Sequence, residues 1–418
     1  MSRVIARHRS SLLEFDLCED ENDVESVSPG ELVSIIPSYT HKTKSTRLSI
    51  SRSSAKLRLI NLNDNQNKDE HCLPIRRKNA TVIENPFQKY KVPSEIIDAI
   101  FSNLRKRDLV AAMKVCRKFY EIGNASRRWQ ITDLMDRPVT ELSLVTLMRR
   151  KIKVLRLAGA KPDMSVTINS RMFASCLLSS SRLEFLDLSR SNLSQHQLSI
   201  VLKPCQKLKC LSIEGNLLND HVANCISSNK NLRELDISMT NGITVNGAKL
   251  IFENCKNLEQ FNASWCGLSL PILDVILKNL TNKIQKLNLA GSVRNFGLND
   301  EHIELLSTKA PGLVDIDLSD NTELGDAAVA TIISRFPELV SLSLNRCYGM
   351  DPNIIVHLNH KPSLVYLNVH GCITEANTEL FLQICNRLKI NNHLFNFTAK
   401  PVSNNSPYIW GHNMRENY

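Results

Sequence analysis

The sequence predicts an α/β chain: a small three-helix module, then a curved repeat solenoid (a horseshoe), then an irregular tail. Three observations carry this reading. One phrase (apolar, two variable, apolar, one variable, apolar) recurs eight times between Leu183 and Val369, as LEFLDL, LKCLSI, LRELDI, LEQFNA, IQKLNL, LVDIDL, LVSLSL and LVYLNV. Ahead of it, from Val92, apolar residues fall at the three-and-four spacing of amphipathic helices. After Leu388 the phrase dissolves into an Asn-rich stretch that ends with Trp410 among its few apolar residues.

The phrase opens at Leu183, Leu208, Leu232, Leu258, Ile284, Leu313, Leu339 and Leu364, a period of about 25 residues within the window of leucine-rich repeats. Each unit is one short strand and one helical return, and it buries its leucines only against its neighbours. This growth in one dimension suits 418 residues better than a single compact core. The first residues hold cations without a continuous apolar run, and no stretch approaches the ~20 residues of a membrane helix, which predicts a cytosolic or nuclear protein without membrane contact.

Twelve cysteines include no C-x-x-C pair. Cys266, Cys347 and Cys372 follow repeat strands at matching positions and Cys255 sits in a helix-to-strand turn, which in a reducing compartment predicts packing rather than metal or redox roles. The formal charge of +10 is spread over short clusters at 76–78, 105–107 and 149–151. None forms a stripe with interleaved aromatics, so the charge reads as solvated faces rather than a nucleic-acid surface. Phosphate-cradling glycine motifs, H-E-x-x-H and G-x-S-x-G do not occur, which argues against an enzyme and implies no metal or cofactor.

Residues 1–85 read as a disordered regulatory segment, with an acidic patch from Glu14 to Glu25 and a serine-rich basic stretch from His41 to Lys56. Ser49, Ser51 and Ser53 lie among Arg47, Arg52 and Lys56, a composition that suits basic-directed kinases and also arises by chance. The RRK triplet at 76–78 reads equally as a nuclear signal or as plain charge. Order is expected from about Tyr90. A first helix carries Ile96, Ile97, Ile100, Phe101 and Leu104, with Pro93 at its entry and Ser94 or the preceding turn as cap. A second runs from Leu109 to Tyr120 with Val110, Met113 and Cys116 inside, and Trp129 anchors a third. So little core must share its apolar surface with something else.

Val92-Pro93, Glu95-Ile96-Ile97, Ile100-Phe101, Leu104, Asp108-Leu109, Val115-Cys116-Arg117, Phe119-Tyr120 and Trp129 together resemble an F-box. Valine stands at 92 where leucine is common, and phenylalanine at 119 where tryptophan is common. The resemblance implies that residues 86–134 dock on a Skp-family adaptor and, through it, a cullin-RING ubiquitin ligase. It assigns that contact to Val92, Pro93, Glu95, Ile96, Ile97, Ile100, Phe101, Leu104, Leu109, Val115, Cys116 and Trp129.

The solenoid is expected over 135–390, beginning with IKVLRL at 152–157 and an irregular return through Pro162. Alternation turns the leucines inward and the intervening residues onto the hollow side, from Phe185, Asp187 and Ser189 in the first phrase to Tyr366, Asn368 and His370 in the last. That face is small, polar and rather acidic, with Lys286 its only lysine, and offers a phosphate little to pair with. The slot after each strand holds Arg190, Gly215, Met239, Trp265, Gly291, Asp320, Arg346 and Gly371. Parallel spacing puts Trp265 about 10 Å from Asp320 and Asp320 about 5 Å from Arg346 on one rim. Either the three make a protein contact, or Asp320 and Arg346 pair with each other while Trp265 packs into a turn.

SWCG at 264–267, LSLNRCY at 342–348, and LKINNHLFNFTAKP and IWG in the tail extend the likeness over about 90–418. They are similar to the S-phase kinase-associated family of F-box leucine-rich-repeat receptors. That resemblance implies a non-catalytic substrate receptor, in nucleus and cytoplasm, that sends phosphorylated cell-cycle regulators such as a cyclin-dependent kinase inhibitor to the proteasome. It implies a small kinase-associated accessory subunit held by Trp265, Asp320, Arg346 and Tyr348, with Arg294 a further contact in a loosely aligned segment. The tail, 391–418, would run back along the hollow side on Phe395, Phe397, Ile409 and Trp410 and cap the open end. The competing readings are an F-box receptor for an unrelated substrate and a repeat scaffold outside the ubiquitin system.

Overall fold

A computed structural model describes residues 92–162, 181–294, 297–391, 397–401 and 408–414. The readings made for residues 1–85, the basic triplet at 76–78 and Phe395 lie outside the described residues.

Three short helices come first: α1 (Ser94–Ser102), α2 (Lys106–Met113) and α3 (Arg117–Gly123), then a 3-10 turn over Ser126–Trp129. The long second helix expected to reach Tyr120 is broken. Cys116 is extended (φ −155°, ψ 166°) and its thiol accepts the Phe119 N–H at 3.4 Å, so it caps a new helix. Ser94 is no cap either: it is the first residue of α1, and Pro93 takes the N-cap position without a side-chain cap bond.

Beyond Trp129 the chain enters an eleven-stranded parallel sheet at once, through β1 (Ile131–Asp133). The repeat phrase does not reveal this strand because Thr132, paired with Leu155, replaces the inward leucine. A minor pair, β2 (Pro138–Val139) with β4 (Lys161–Pro162), flanks α4 (Glu141–Arg149) and β3 (Val154–Arg156). The sheet then advances one strand per repeat: β5 (Phe185–Asp187), β6 (Cys210–Ser212), β7 (Glu234–Asp236), β8 (Gln260–Asn262), β9 (Lys286–Asn288), β10 (Asp315–Asp317), β11 (Ser341–Ser343), β12 (Tyr366–Asn368) and β13 (Lys389–Ile390). Register is constant, so Leu186, Leu211, Leu235, Phe261, Leu287, Ile316, Leu342 and Leu367 form one buried column.

Helical returns cover the outer side: α5 (Gln195–Leu202), α6 (Asp220–Ser227), α7 (Val245–Asn254), α8 (Leu270–Asn279), α9 (Asp300–Lys309), α10 (Asp326–Arg335), α11 (Pro352–Val356) and α12 (Glu375–Ile384). Their N-termini are tied across repeats. The first-turn carboxylate of α6, Asp220, accepts the Thr244 hydroxyl at the cap of α7. Asp300 of α9 accepts the Gly325 N–H (2.7 Å) and Asp326 of α10 the Asp351 N–H (2.9 Å), so one repeat's helix start holds the next.

The tail does fold back. The Asn288 amide reaches the Thr398 carbonyl at 3.5 Å, and a hairpin, β14 (Tyr408–Ile409) with β15 (His412–Asn413), returns to the first strands. Its two-residue turn, Trp410-Gly411, has positive φ at both residues (45° and 78°), as a type I′ turn demands. Ile409 and Met414 bury against Val154, and His412 stands edge-on to Phe185 at 4.5 Å. In the described residues the tail therefore seals the first strands, not the open end at β13.

Candidate binding surfaces

The helical module sorts the twelve expected docking residues by the helix period. Ile97 (1 % exposed) and Phe101 lie one turn apart on the inner side of α1 with Leu109, Val110 and Met113, while Ile96 (53 %) and Ile100 (51 %) share the outer side. Val115, between α2 and α3, is more open still at 71 %. Glu95 and Pro93 are exposed beside them, and Val92, Leu104 and Cys116 are half-buried. Assigning Ile97, Phe101, Leu109 and Trp129 to a docking surface is therefore corrected: they are buried in the module's own core. Phe101 packs edge-on to Phe119 at 5.2 Å.

Trp129 joins module to solenoid. Its indole N–H donates to the Gly123 carbonyl at 3.0 Å. Two cations lie over its ring: Arg150, from the end of α4, at 3.8 Å from the centroid, and Lys106, from α2, at 5.0 Å. Lys106 also donates to the Ile131 carbonyl at 2.7 Å, clamping α2 onto β1. Burial, followed by the neighbouring Arg150 charge, pushes the Lys106 ammonium down to about 8. The chain thus offers its outer α1 face from a fixed mount.

On the hollow side, the expectation of an exposed polar face needs correcting. Asp187, Ser212, Asp236, Asn262, Asn288, Asp317, Ser343 and Asn368 are buried. Most turn back to end their own strand: the Asp187, Asp236, Asn262, Asn288 and Asp317 side chains each accept the N–H two residues on, at 2.9–3.0 Å. Ser189 and Ser212 share a hydrogen bond at 2.9 Å and Ser212 donates to Asp236, linking three repeats side by side. Burial outweighs these bonds and pushes the Asp236 and Asp317 carboxyls up to about 6.

That strand-end turn produces the rim. All eight residues in the following slot have positive φ: Arg190, Gly215, Met239, Trp265, Gly291, Asp320, Arg346 and Gly371, between 52° and 76°. Large side chains there lean over glycines of the next repeat. A Cβ on Gly291 would sit 2.8 Å from the Trp265 ring, and one on Gly371 3.3 Å from Arg346. Asp320 and Arg346 do pair, through two guanidinium nitrogens and both carboxylate oxygens, and the carboxylate holds Arg346 above its usual value. The pair does not withdraw from solvent, since Arg346 keeps 44 % of its side chain exposed, with Tyr348 open beside it at 63 %. Trp265 is 49 % exposed and does not bury in a turn. Arg294 folds back over Gly267 to Asn241 (3.5 Å), at the lip of a cleft of about 570 Å³ with Ile243, Leu268 and Leu270. The structure thus brings all five expected residues to one edge. Met239 (42 % exposed) and Leu217 (46 %) extend its apolar character, which the repeat pattern alone did not signal.

The cysteines pack as expected and also donate. Cys266, Cys347 and Cys372 point their thiols at the Ile237, Leu318 and Leu344 carbonyls of the preceding repeat, at 2.8, 3.2 and 3.0 Å. Asn216 and Asn321 make the same link with amides. Among the described residues no cluster of His, Cys, Asp or Glu could hold a metal ion, and no helix is long and apolar enough to cross a membrane.

A helical module with an unpartnered apolar face, rigidly joined to a repeat solenoid with a strained, solvent-facing rim, defines a two-surface binding protein. The family model described as the SKP2 LRR domain matches residues 143–417, and the F-box-like model matches residues 90–131. The chain belongs to the SKP2 leucine-rich-repeat family and carries an F-box-like domain ahead of the repeats. This is the composition of a substrate-recognition subunit of an SCF-type ubiquitin ligase, a class whose F-box binds a Skp1-type adaptor and whose members are typically non-catalytic. Among solved structures, "Crystal structure of Rad7 and Elc1 complex in yeast" matches at 14 % identity and a TM-score of 0.39, covering 74 % of this chain and 94 % of that one.

Proposed function

We propose that this receptor directs phosphorylated cell-cycle regulators, a cyclin-dependent kinase inhibitor foremost, to ubiquitination and proteasomal degradation, in nucleus and cytoplasm. The chain makes and breaks no bond. It lowers the barrier to transfer by holding the target near the charged conjugating enzyme. The observation that supports this reading is the rim: Trp265, Arg294, Arg346 and Tyr348 stay exposed, while five of the polar residues that end the strands are buried in turns of their own. A phosphate pocket is thus not provided by the strands, which fits an accessory kinase-associated subunit that brings its own and rests on Asp320, Arg346 and Trp265.

Two measurements test this. Adaptor capture by the purified chain should fall at least tenfold for Ile96→Asp with Ile100→Asp while thermal stability holds, and undiminished capture would show that α1 is not the docking helix. Binding of a phosphothreonine inhibitor peptide should require the accessory subunit. A peptide that binds equally well without it, or without its phosphate, would refute the proposed substrate mode.

A further inference from the structure

Part of the basic charge that is scattered in sequence lines up in space. In every repeat the residues just before the strand lie along one edge of the solenoid, the edge opposite the Trp265 rim. A continuous backbone ladder marks it: Glu184 N–H to the Lys153 carbonyl, Lys209 to Glu184, Arg233 to Lys209, Glu259 to Arg233 and Gln285 to Glu259, all at 2.7–2.9 Å. Along this edge, across β5 to β9, Arg182, Lys203, Lys207, Lys230, Lys256 and Lys283 are all exposed. None of these six has a carboxylate partner within 4 Å among the described residues. Lys256 instead donates to the Phe252 carbonyl and Lys283 to the Asn257 side chain. The edge's own acids are already engaged, Glu184 between Lys153 and Lys209 and Glu259 with Arg233.

Helix ends explain part of this, because the described helical returns finish at this edge and their carbonyl ends favour cations. Lys256 fits that account. Lys207, Lys230 and Lys283 sit past the last helical turn, immediately ahead of the strands, where the dipole has faded. Like charges stacked at the spacing of parallel strands repel one another, so the stripe costs stability that the two bonds made by Lys256 and Lys283 offset only in part.

We infer that this edge is a docking surface for an acidic polypeptide segment. The stripe spans about 19 Å at strand spacing, the reach of roughly six extended residues. Its chemistry selects against the other polyanions. No large apolar or aromatic side chain is exposed along it in the described residues, so it has neither the stacking platform of a single-strand binder nor the wedge of a membrane-surface element. It is built mainly of lysine, a hydrated point charge suited to steering a carboxylate-rich chain rather than gripping a phosphate in a bidentate fork. The inference goes beyond the receptor reading, and its failure would leave adaptor docking and rim recognition untouched.

The test uses the full chain bound to its adaptor. A fluorescein-labelled Glu-rich dodecapeptide, its Gln analogue, an oligo-dT of 20 bases and vesicles containing phosphatidylserine are titrated at 50 and 200 mM salt. The Glu-rich peptide is expected to bind the best of the four, and more weakly at the higher salt. Lys207→Glu, Lys230→Glu, Lys256→Glu and Lys283→Glu combined should cut its affinity at least tenfold. The same four sites changed to Gln, which guards against misfolding by charge reversal, should cut it at least threefold. Reversing Arg137, Lys161, Lys249 and Arg335 elsewhere should change it less than twofold. Absence of peptide binding at 50 mM salt, an equal loss in the control set, or tighter binding of the oligonucleotide or vesicles would each overturn the assignment.

Discussion

Trp265 and Arg346 occupy a backbone conformation that L-residues other than glycine, asparagine and aspartate seldom adopt, and three of the eight equivalent slots are indeed glycine. Holding a bulky residue at φ 58° costs on the order of 1 kcal/mol. A residue kept there only for packing would stabilise the fold, whereas one kept for a partner would weaken it. Trp265→Gly and Arg346→Gly are therefore expected to leave thermal stability unchanged or raised by up to ~1 kcal/mol. Each should weaken capture of the accessory subunit with phosphopeptide by about 2 kcal/mol, as removal of an interface anchor does. Calorimetry paired with binding on the same samples checks this, and a stability loss above 1 kcal/mol with intact capture would make these residues structural.

At the scale of the strand, the Asx turn that closes five of the repeats uses Asp or Asn interchangeably: Asp187, Asp236 and Asp317 against Asn262 and Asn288. The two differ in charge. A free Asp titrates near 3.9, whereas burial raises Asp236 and Asp317 to about 6 in the fold. The folded state therefore holds the proton more tightly. The stabilising contribution is present below about pH 4 and is lost as the pH rises through 6. Above that, each ionised carboxylate opposes folding by at most ~2–3 kcal/mol. Asp236→Asn and Asp317→Asn should accordingly raise the unfolding midpoint at pH 7.5, and the gain should shrink as the pH falls from 6 towards 4. An equal gain at both ends would mean that the carboxyls are not the titrating groups.

At the scale of the whole molecule, the described part of the tail covers the first strands of the solenoid and not its last. The hairpin of the tail covers Val154 and Phe185, so it stabilises repeats far from it in sequence. Deleting residues 402–418 should lower protection against amide exchange in β1, β3 and β5 while leaving β10 to β12 unchanged, since each repeat contacts only its neighbours. A uniform loss would show instead that the solenoid unfolds as one unit.

The residues themselves announced the repeats, the F-box-like helices and the rim, because a 25-residue phrase and a three-and-four spacing are local properties of the chain. The break at Cys116 and the first strand at Ile131 were not legible, since each replaces the expected residue with one that works only through a particular backbone bond. Which of Ile96 and Ile97 faces outward could not be read from spacing, because both sides of α1 are apolar and only the packing of α2 decides between them. The same holds for the hollow side, where alternation sets a direction but not an exposure, and a polar side chain pointing outward can still bend back onto its own strand. The charged edge is the plainest case. Its lysines lie some 25 residues apart along the chain, and only the stacking of parallel strands, a few ångströms from one to the next, turns separate charges into one surface.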